Sequence, residues 1–379
     1  MRVGFISSYP PIECGIATYS QYLCEELKRK KTDIHIVTHF GGSGHQVHPS
    51  FDYEDGDLAN KAFRVMSRFT PDVVHIQHEF GLFGNYYGVS VIPLIMQFRL
   101  AGIPVVTTLH TVYDNIPWEQ KMIFESIVSN SERVIVHEAF QKESLGNILN
   151  AEMLQKIAII PHGARDMETV PDARNRLGLP EDKRIILMAG YLRPSKNFEL
   201  VIDIFPEIVK QLPDAVLVLA SKIRGTEYRD YRDFIFDLIS KSPKRDQIYI
   251  LRGQLPQHIF DTAISASDVV VLPYNITSQS GILAHCFAFR KPVVTSSSVA
   301  MRLVLDRTGA GMTCEDREEY VQNIVNILSD TTLAKSLAQK ADQYVREEIS
   351  WSIVADQHLD IYRSAMAIPG IESRIIMVE

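Results

Sequence analysis

Residues 268–298 read DVVVLPYNITSQSGILAHCFAFRKPVVTSSS. An apolar run is followed by a polar turn of small residues, Thr277-Ser278-Gln279-Ser280-Gly281. The turn opens into a helix-like stretch that ends at Arg290-Lys291-Pro292, and PVVTSSS begins another apolar run. Strand, small-residue turn, helix, strand is a unit of a parallel α/β sheet. Its helix N-terminus can hold an anion, because the first backbone N–H groups lack partners inside the helix and the dipole adds positive potential. Ser280, Gly281 and Ile282 would turn their backbone toward that anion, and His285 lies about one turn further in.

The same rhythm runs outward in both directions. In the first half RVGFIS, DIHIVTHF, VVHIQHE, VVTTLH, RVIVH and IAIIPHG are rich in Val and Ile without strict alternation. That is the pattern of strands covered on both faces. Helical patterns lie between several of them, in GIATYSQYLCEELKRKK, DLANKAFRVMSRF and QKMIFESIVSN. ARDMETVPDARNRLGLPEDK breaks the rhythm with proline, glycine and charge, and reads as the connection between two domains. A second series follows: RIILMAGY, AVLVLAS, QIYILRG, VVVLPY and PVVTSS, again with helices between. GGSGHQVHPSFDYEDGD reads as the one long flexible loop, and a last helical stretch begins near Trp351. Two parallel-sheet α/β domains account for this order, and 379 residues suit two domains.

Composition narrows the function classes. With 46% hydrophobic and 22% charged residues, each half can bury a sizeable core. A formal net charge of -7 argues against whole-chain attraction to nucleic acid. Cys14, Cys24, Cys286 and Cys314 form no C-x-x-C pair, so neither a zinc ribbon nor a disulfide framework is indicated. Free thiols in a reducing cytoplasm are the simplest reading. No apolar stretch reaches the ~20 residues that span a bilayer, and the N-terminal apolar part is short for a signal peptide. A cytoplasmic chain is expected, at most peripheral to a membrane. The basic run KRKK at residues 28–31 could meet anionic headgroups, while a solvated helix end is the simpler reading.

Ligands of parallel sheets bind beyond the carboxyl ends of the strands. After the first strand, SSYPPIECGIATYS sets Gly15 just before a helix, with Glu13 and Thr18 around it. A glycine there lets the backbone approach a ligand, although a plain strand-to-helix turn looks the same. QHEFGLFGNYYG crowds His78 and Glu79 into one loop, and TTLHTVYD puts His110 at a strand end. A lone histidine is more often a structural hydrogen-bonding residue, and its place at the sheet edge weighs against that. His45 and His48, and His75 and His78, have H-x-x-H spacing without the helical setting of zinc motifs, and no metal is expected. AGYLRPSKNFELVIDIF holds Arg193 and Lys196 in a loop that opens a helix. Dipole, N–H groups and charge would there agree on phosphate, against the alternative of a solvated basic loop. No G-x-G-x-x-G follows any strand, which disfavours an oxidoreductase.

The ordered set YPPIECGIATYS, VVHIQHEFGLFG, TTLHTVYD, IPHGARD, AGYLRPSKNFELVI, SASDVVVLPY, SGILAHCFAFRKPVV and WSIVADQHLDIYRSA covers nearly the whole chain. It resembles the GT-B glycosyltransferases, specifically the retaining family 4 that uses sugar nucleotides. The resemblance implies an α/β fold of two Rossmann-like domains facing each other across a cleft. Residues 1–165 would form the acceptor side and 166–351 the donor-nucleotide side. Residues 352–379 would cross back onto the first domain. It also implies Gly15 beside the donor phosphates, His110 on the donor sugar and Lys196 on the diphosphate. Tyr191 stands where the family has an arginine, with Arg193 close enough to substitute.

The family carries two glutamates separated by seven residues; Thr277 and His285 occupy those places here. Sugar and ribose recognition must therefore differ, with Thr277 and Gln279 offering neutral hydrogen bonds and His285 at the ribose position. The implied activity moves a hexosyl group from a sugar nucleotide, of the GDP-mannose or UDP-glucose type, to a hydroxyl of a sugar or glycolipid acceptor. Anomeric configuration is retained, mannosyl transfer is among the options, and neither cofactor nor metal is expected. Glu13, His78 and Glu79 are the acceptor-side candidates, with the two carboxylates the only nucleophile candidates, and front-face attack assisted by the leaving phosphate fits better than a covalent intermediate. Two rivals share the fold: a non-catalytic partner subunit, suggested by the loss of both acidic positions, and a sugar phosphorylase. Donor base, acceptor and oligomeric state stay open.

Overall fold

The Val- and Ile-rich runs assemble into two parallel sheets, one in each of two units. The computed structural model describes residues 1–222, 228–252 and 255–367. The first unit is Met1–Gly163 with the chain from Trp351 onward, and the second is Ala164–Ser350.

The strands of the first unit are β1 (Arg2–Ile6), β2 (Asp33–His39), β3 (Val47–Phe51), β4 (Val73–His78), β5 (Val105–Leu109), β6 (Arg133–Val136) and β7 (Ile157–Ile159). They lie in the order β3-β2-β1-β4-β5-β6-β7, every neighbouring pair parallel. The chain builds to one side of β1 and then returns to its other side with β4. That reversal splays the loops after β1 and β4 apart at the carboxyl edge, the usual ligand position in such sheets. Helices α1 (Gly15–Arg29), α2 (Leu58–Met66), α3 (Val91–Leu100) and α4 (Trp118–Asn130) flank the sheet. One face buries Val74, Ile76 and Val105 against Leu94, Phe98 and Phe124. The other buries Val3, Phe5 and Ile135 against Leu23 of α1 and Val354, Leu359 and Tyr362 of the C-terminal helix, Trp351–Met366. Because helices cover both faces, β4 and β5 are buried along their whole lengths, which explains why their sequences do not alternate.

The C-terminal helix is thus part of the first unit. Trp351 packs edge-on against Tyr19, with ring centroids 5.1 Å apart, and Tyr362 Oη lies 2.7 Å from His75 Nδ1. A Cβ on Gly163 would stand 2.4 Å from the Trp351 ring, so only glycine lets the chain leave this unit there. The basic run at residues 28–31 belongs to the same junction. Lys30 Nζ donates to Asp356 (2.8 Å) and Ser352 (3.0 Å), and Arg29 pairs with Glu26. Among the described residues no helix is long and apolar enough to cross a membrane.

The second unit has β8 (Arg184–Tyr191), β9 (Ala215–Lys222), β10 (Ile248–Leu251), β11 (Val269–Leu272), β12 (Val293–Ser296) and β13 (Gly311–Cys314). Their order is β10-β9-β8-β11-β12-β13, again all parallel. The reversal now falls between β8 and β11. Helices α5 (Phe198–Gln211), α6 (Gln257–Ala266) and α7 (Gly281–Ala288) pack on this sheet.

Two expectations are corrected. The presumed flexible loop of residues 41–57 contains β3, which pairs with β2; Pro49 and its polar neighbours are tolerated because β3 is an edge strand. The presumed inter-domain connection belongs to the second unit. Ala173 and Leu179 are buried there, and Arg174 forks onto both oxygens of Asp268 at 2.9 Å. VIPLIMQFRL, which no sequence pattern singled out, forms α3; its apolar residues and Pro93 obscure a helical period.

Candidate functional site

In the second unit the loops after β8 and β11 are neighbours because their strands pair, Val269 with Ile186 and Val270 with Leu187. After β8 the chain runs through exposed Arg193 into a short 3-10 turn, Pro194–Lys196. After β11 it passes buried Tyr274 and the polar turn to α7. The loops are joined directly: Asn275 N–H donates to Ser195 O at 3.1 Å, and Asn197 Nδ2 donates to Asn275 Oδ1 at 3.2 Å. The Lys196 ammonium stands 3.3 Å from the centroid of the Tyr274 ring. Burial, reinforced by the charge of Arg193, lowers its pKa to about 7. The ammonium is therefore poised between charged and neutral, and an adjacent phosphate would restore its charge.

Helix α7 supplies the second half of the site. Ser280 is its N-cap, with Oγ accepting from Leu283 N–H at 3.2 Å, and no acidic side chain lies in the first turn. The N–H groups of Gly281 and Ile282 then face out of the helix end. Gly190, with φ +142, holds the end of β8 against this turn; a Cβ there would stand 3.3 Å from Ile282 Cδ1. Thr277 Oγ1 donates to Gln279 O at 2.7 Å, which stiffens the turn while leaving the Thr277 oxygen able to accept. His285 is partly buried one turn into α7, edge-on to Phe260 of α6 with centroids 6.1 Å apart.

One part of the sequence reading does not hold. The helix opened by Lys196 does not offer its own N-terminus to an anion. In α5 the Phe198 N–H donates to Tyr231 Oη at 3.1 Å, and that hydroxyl donates to Glu199, an acid in the first turn. The free helix end beside Lys196 is that of α7.

The corresponding edge of the first unit carries Glu13 and Gly15 after β1, Glu79 after β4 and Thr111 after β5. Glu13 and Gly15 are exposed. A Cβ on Gly15 would meet nothing within 4 Å, so packing inside the chain does not explain the glycine. Glu79 ties two loops together, its Oε2 accepting from Thr111 Oγ1 at 2.6 Å and its Oε1 from Phe80 N–H at 3.2 Å.

The histidines are placed differently from expectation. His78 is buried between Phe80 and Phe83, so it is no acceptor contact. His110 is also buried, with Nε2 2.8 Å from Gln77 Oε1 and Nδ1 3.2 Å from His137 Nε2. Both of its ring nitrogens are engaged inside the first unit, so it builds the strand edge and is not held out to a sugar. His110→Ala is accordingly expected to lower unfolding free energy by about 2–4 kcal/mol, by leaving a cavity and two unmatched polar partners. Urea denaturation checks this, and unaltered stability would return His110 to the list of ligand contacts. His75 turns to Tyr362 on the opposite face of β4 from His78, so the H-x-x-H pair does not converge. Among the described residues no three His, Cys, Asp or Glu side chains gather as a metal site.

The structure adds two tyrosines that pattern reading passed over. In the turn Asn85–Gly88, Tyr86 (φ 57, ψ 58) and Tyr87 (φ 61, ψ 28) both lie in the left-handed region. Two glycines with positive φ, Gly84 and Gly88, frame them, and GNYYG was the available signal.

Comparison with known proteins matches each unit. The family model "Glycosyltransferase Family 4" covers residues 14–166, and "Glycosyl transferases group 1" covers residues 169–344. An uncharacterized glycosyltransferase of Methanocaldococcus jannaschii is 26% identical over 98% of this chain and 100% of its own. Among solved structures, a sucrose-phosphate synthase from Thermosynechococcus elongatus superposes with a TM-score of 0.77 at 17% identity, covering 96% of this chain and 98% of that one. Anabaena HepE in complex with UDP gives 0.76 at 14% identity, over 96% and 100%. The same Anabaena protein has been solved with UDP-glucose.

Proposed function

We propose that this chain, which belongs to the GT-B glycosyltransferases of the family 4 type, moves a hexosyl group from a sugar nucleotide to a hydroxyl of a sugar or glycolipid acceptor, with retention. One observation carries the reading. A lysine ammonium over an aromatic ring and a helix end without a first-turn acid meet at the strand reversal of the second unit. That arrangement suits a diphosphate leaving group. UDP and UDP-glucose complexes of a structurally similar protein support a nucleoside diphosphate sugar, of the UDP-glucose or GDP-mannose type, as donor.

In the proposed reaction the anomeric C–O bond to the phosphate breaks while the acceptor oxygen bonds to the same face. The acceptor proton passes to the leaving phosphate oxygen. Charge builds on that phosphate, and Lys196, Arg193 and the α7 N–H groups stabilise it where it develops. Thr277 and Gln279 offer neutral hydrogen bonds to the sugar. No step requires a metal.

Calorimetric titration with UDP-glucose and GDP-mannose, followed by turnover assays with sugar and glycolipid acceptors, tests the reading. Absence of binding by either would sink it. Tight binding without transfer or hydrolysis would favour a non-catalytic partner, a reading motivated by Thr277 and His285 in place of acids.

Nucleotide affinity should rest on phosphate more than on ribose. A neutral imidazole at His285 can accept one hydrogen bond and donate one, where a carboxylate accepts two from a ribose diol. Removing the 2′-hydroxyl is expected to cost less than about 1 kcal/mol, and removing the terminal phosphate about 3 kcal/mol. Calorimetry with mono- and diphosphates and their deoxy forms checks this. A costly deoxy change matched by His285→Ala would reveal a strong ribose contact instead.

A further inference from the structure

The turn Asn85–Gly88 is built at a conformational cost. Non-glycine residues seldom adopt positive φ, and two in succession must be over-determined by their surroundings. The surroundings are visible. Gly84 fits where a Cβ would stand 3.1 Å from Ser90 Oγ and 3.4 Å from Tyr53 O. Gly88 fits where one would stand 3.1 Å from Phe80 O and 3.5 Å from Glu79 O. Ser90 N–H closes the loop onto Phe83 O at 3.3 Å. The turn is thereby folded back on the backbone of Glu79 and Phe80, directly after β4.

Its product is exposure. Tyr86 is 85% exposed and Tyr87 43%, although neither ring is needed for the core. Tyr87 leans edge-on against the partly buried Phe80 at 5.9 Å, and Phe80 rests on the buried Phe124 of α4, so this ring has an aromatic support. The helix beneath, α4, opens with Trp118, 67% exposed.

We propose that Tyr86 and Tyr87 form a platform for the pyranose ring of a carbohydrate acceptor, on the turn that folds back onto the backbone of Glu79 and Phe80; this rests on the glycosyltransferase reading above. A pyranose presents a face of C–H groups and an edge of hydroxyls. Aromatic side chains cover the face at small entropic cost, and phenol oxygens accept from the edge. An anionic membrane surface suits the region less well. Asp114, Glu119 and Glu125 accompany Lys121 along the same loop and helix, so the local charge is negative.

The test uses the full chain and needs no donor. Saturation-transfer NMR with methyl α-D-mannopyranoside and methyl α-D-glucopyranoside is expected to show enhancement of ring C–H protons for at least one of them. The double variant Tyr86→Gly/Tyr87→Gly should lower that enhancement roughly fivefold. Glycine adopts the turn's φ values freely, so the backbone is preserved, and an unchanged thermal midpoint confirms it. Equal enhancement in the variant, or none in either protein, overturns the platform. So does tyrosine-dependent co-sedimentation with phosphatidylglycerol vesicles without glycoside binding. Nucleotide binding by calorimetry separates this failure from failure of the enzyme reading: a platform that fails in a chain that still binds UDP-glucose or GDP-mannose leaves the donor site standing.

Discussion

Lys196→Ala is expected to lower sugar-transfer turnover by about 10²-fold or more, with the unfolding midpoint nearly unchanged. Its ammonium is set 3.3 Å over the Tyr274 ring, on the loop joined to the turn that opens α7, where in the proposed reaction the leaving phosphate would gain charge. Its contribution to stability is small, because a cation over an aromatic ring contributes about 0.5–2 kcal/mol and burial of the charge opposes it. The pH dependence follows from the same burial. With a free-site pKa of about 7, part of the population is neutral before ligand arrives. A bound diphosphate favours the charged form, so binding takes up a proton near and above pH 7, and affinity falls as pH rises further. Calorimetry in buffers of different ionisation enthalpy reads that proton directly. Normal turnover in a folded Lys196→Ala protein would remove the lysine from the mechanism.

Acid is expected to unfold the first unit well before the second. His75, His78, His110, His137 and His358 are all at most 2% exposed, and all lie in the first unit. Burial holds His78 and His137 down to about 3 and His358 to about 4, and pushes His75 and His110 well below the usual imidazole range. A histidine depressed in the folded state binds its proton more readily when unfolded, near pH 6.5. Stability is therefore full above that pH and is lost as pH falls toward the folded values. At pH 5 the three histidines with stated values each withdraw about 2 kcal/mol, and the other two act in the same direction. The sum rivals the ~5–15 kcal/mol that keeps a domain folded. In the second unit His258 is exposed and His285 only partly buried, so this source of acid lability is weaker there. Both tryptophans, Trp118 and Trp351, belong to the first unit, so their fluorescence reports on it alone. A fluorescence transition between pH 6.5 and 4.5 is expected; a flat signal down to pH 4 would contradict the account.

The parallel sheets were legible because buried strands must be apolar on both faces, as VVVL at β11 is. The edge strand β3 was not, since VHPSF is polar and broken by proline and only its neighbour β2 makes it a strand. In the second unit, Lys196, Ser280 and Gly281 could be read because the turn chemistry is local. The role of His110 could not. Its partners, Gln77 and His137, lie 33 and 27 residues away and are brought beside it by strand pairing. The closed N-terminus of α5 was hidden for the same reason, because Tyr231 comes from 33 residues downstream. The paired tyrosines were passed over because positive φ at a tyrosine leaves no mark on the residue itself, and only the framing glycines of GNYYG hint at it.

The first unit is interrupted in sequence, since its last helix, Trp351–Met366, follows the whole of the second unit. On the ribosome, this reverses the usual N-to-C order of maturation. Residues 1–163 emerge first yet lack the helix that supplies Val354, Leu359 and Tyr362 to their core and an acidic partner to Lys30. The second unit can close as soon as residue 350 has cleared the exit tunnel. The first must wait, with one face of its sheet only partly covered, for roughly another ten seconds or less of translation. A nonsense mutation anywhere between residues 164 and 350 would leave it permanently in that state.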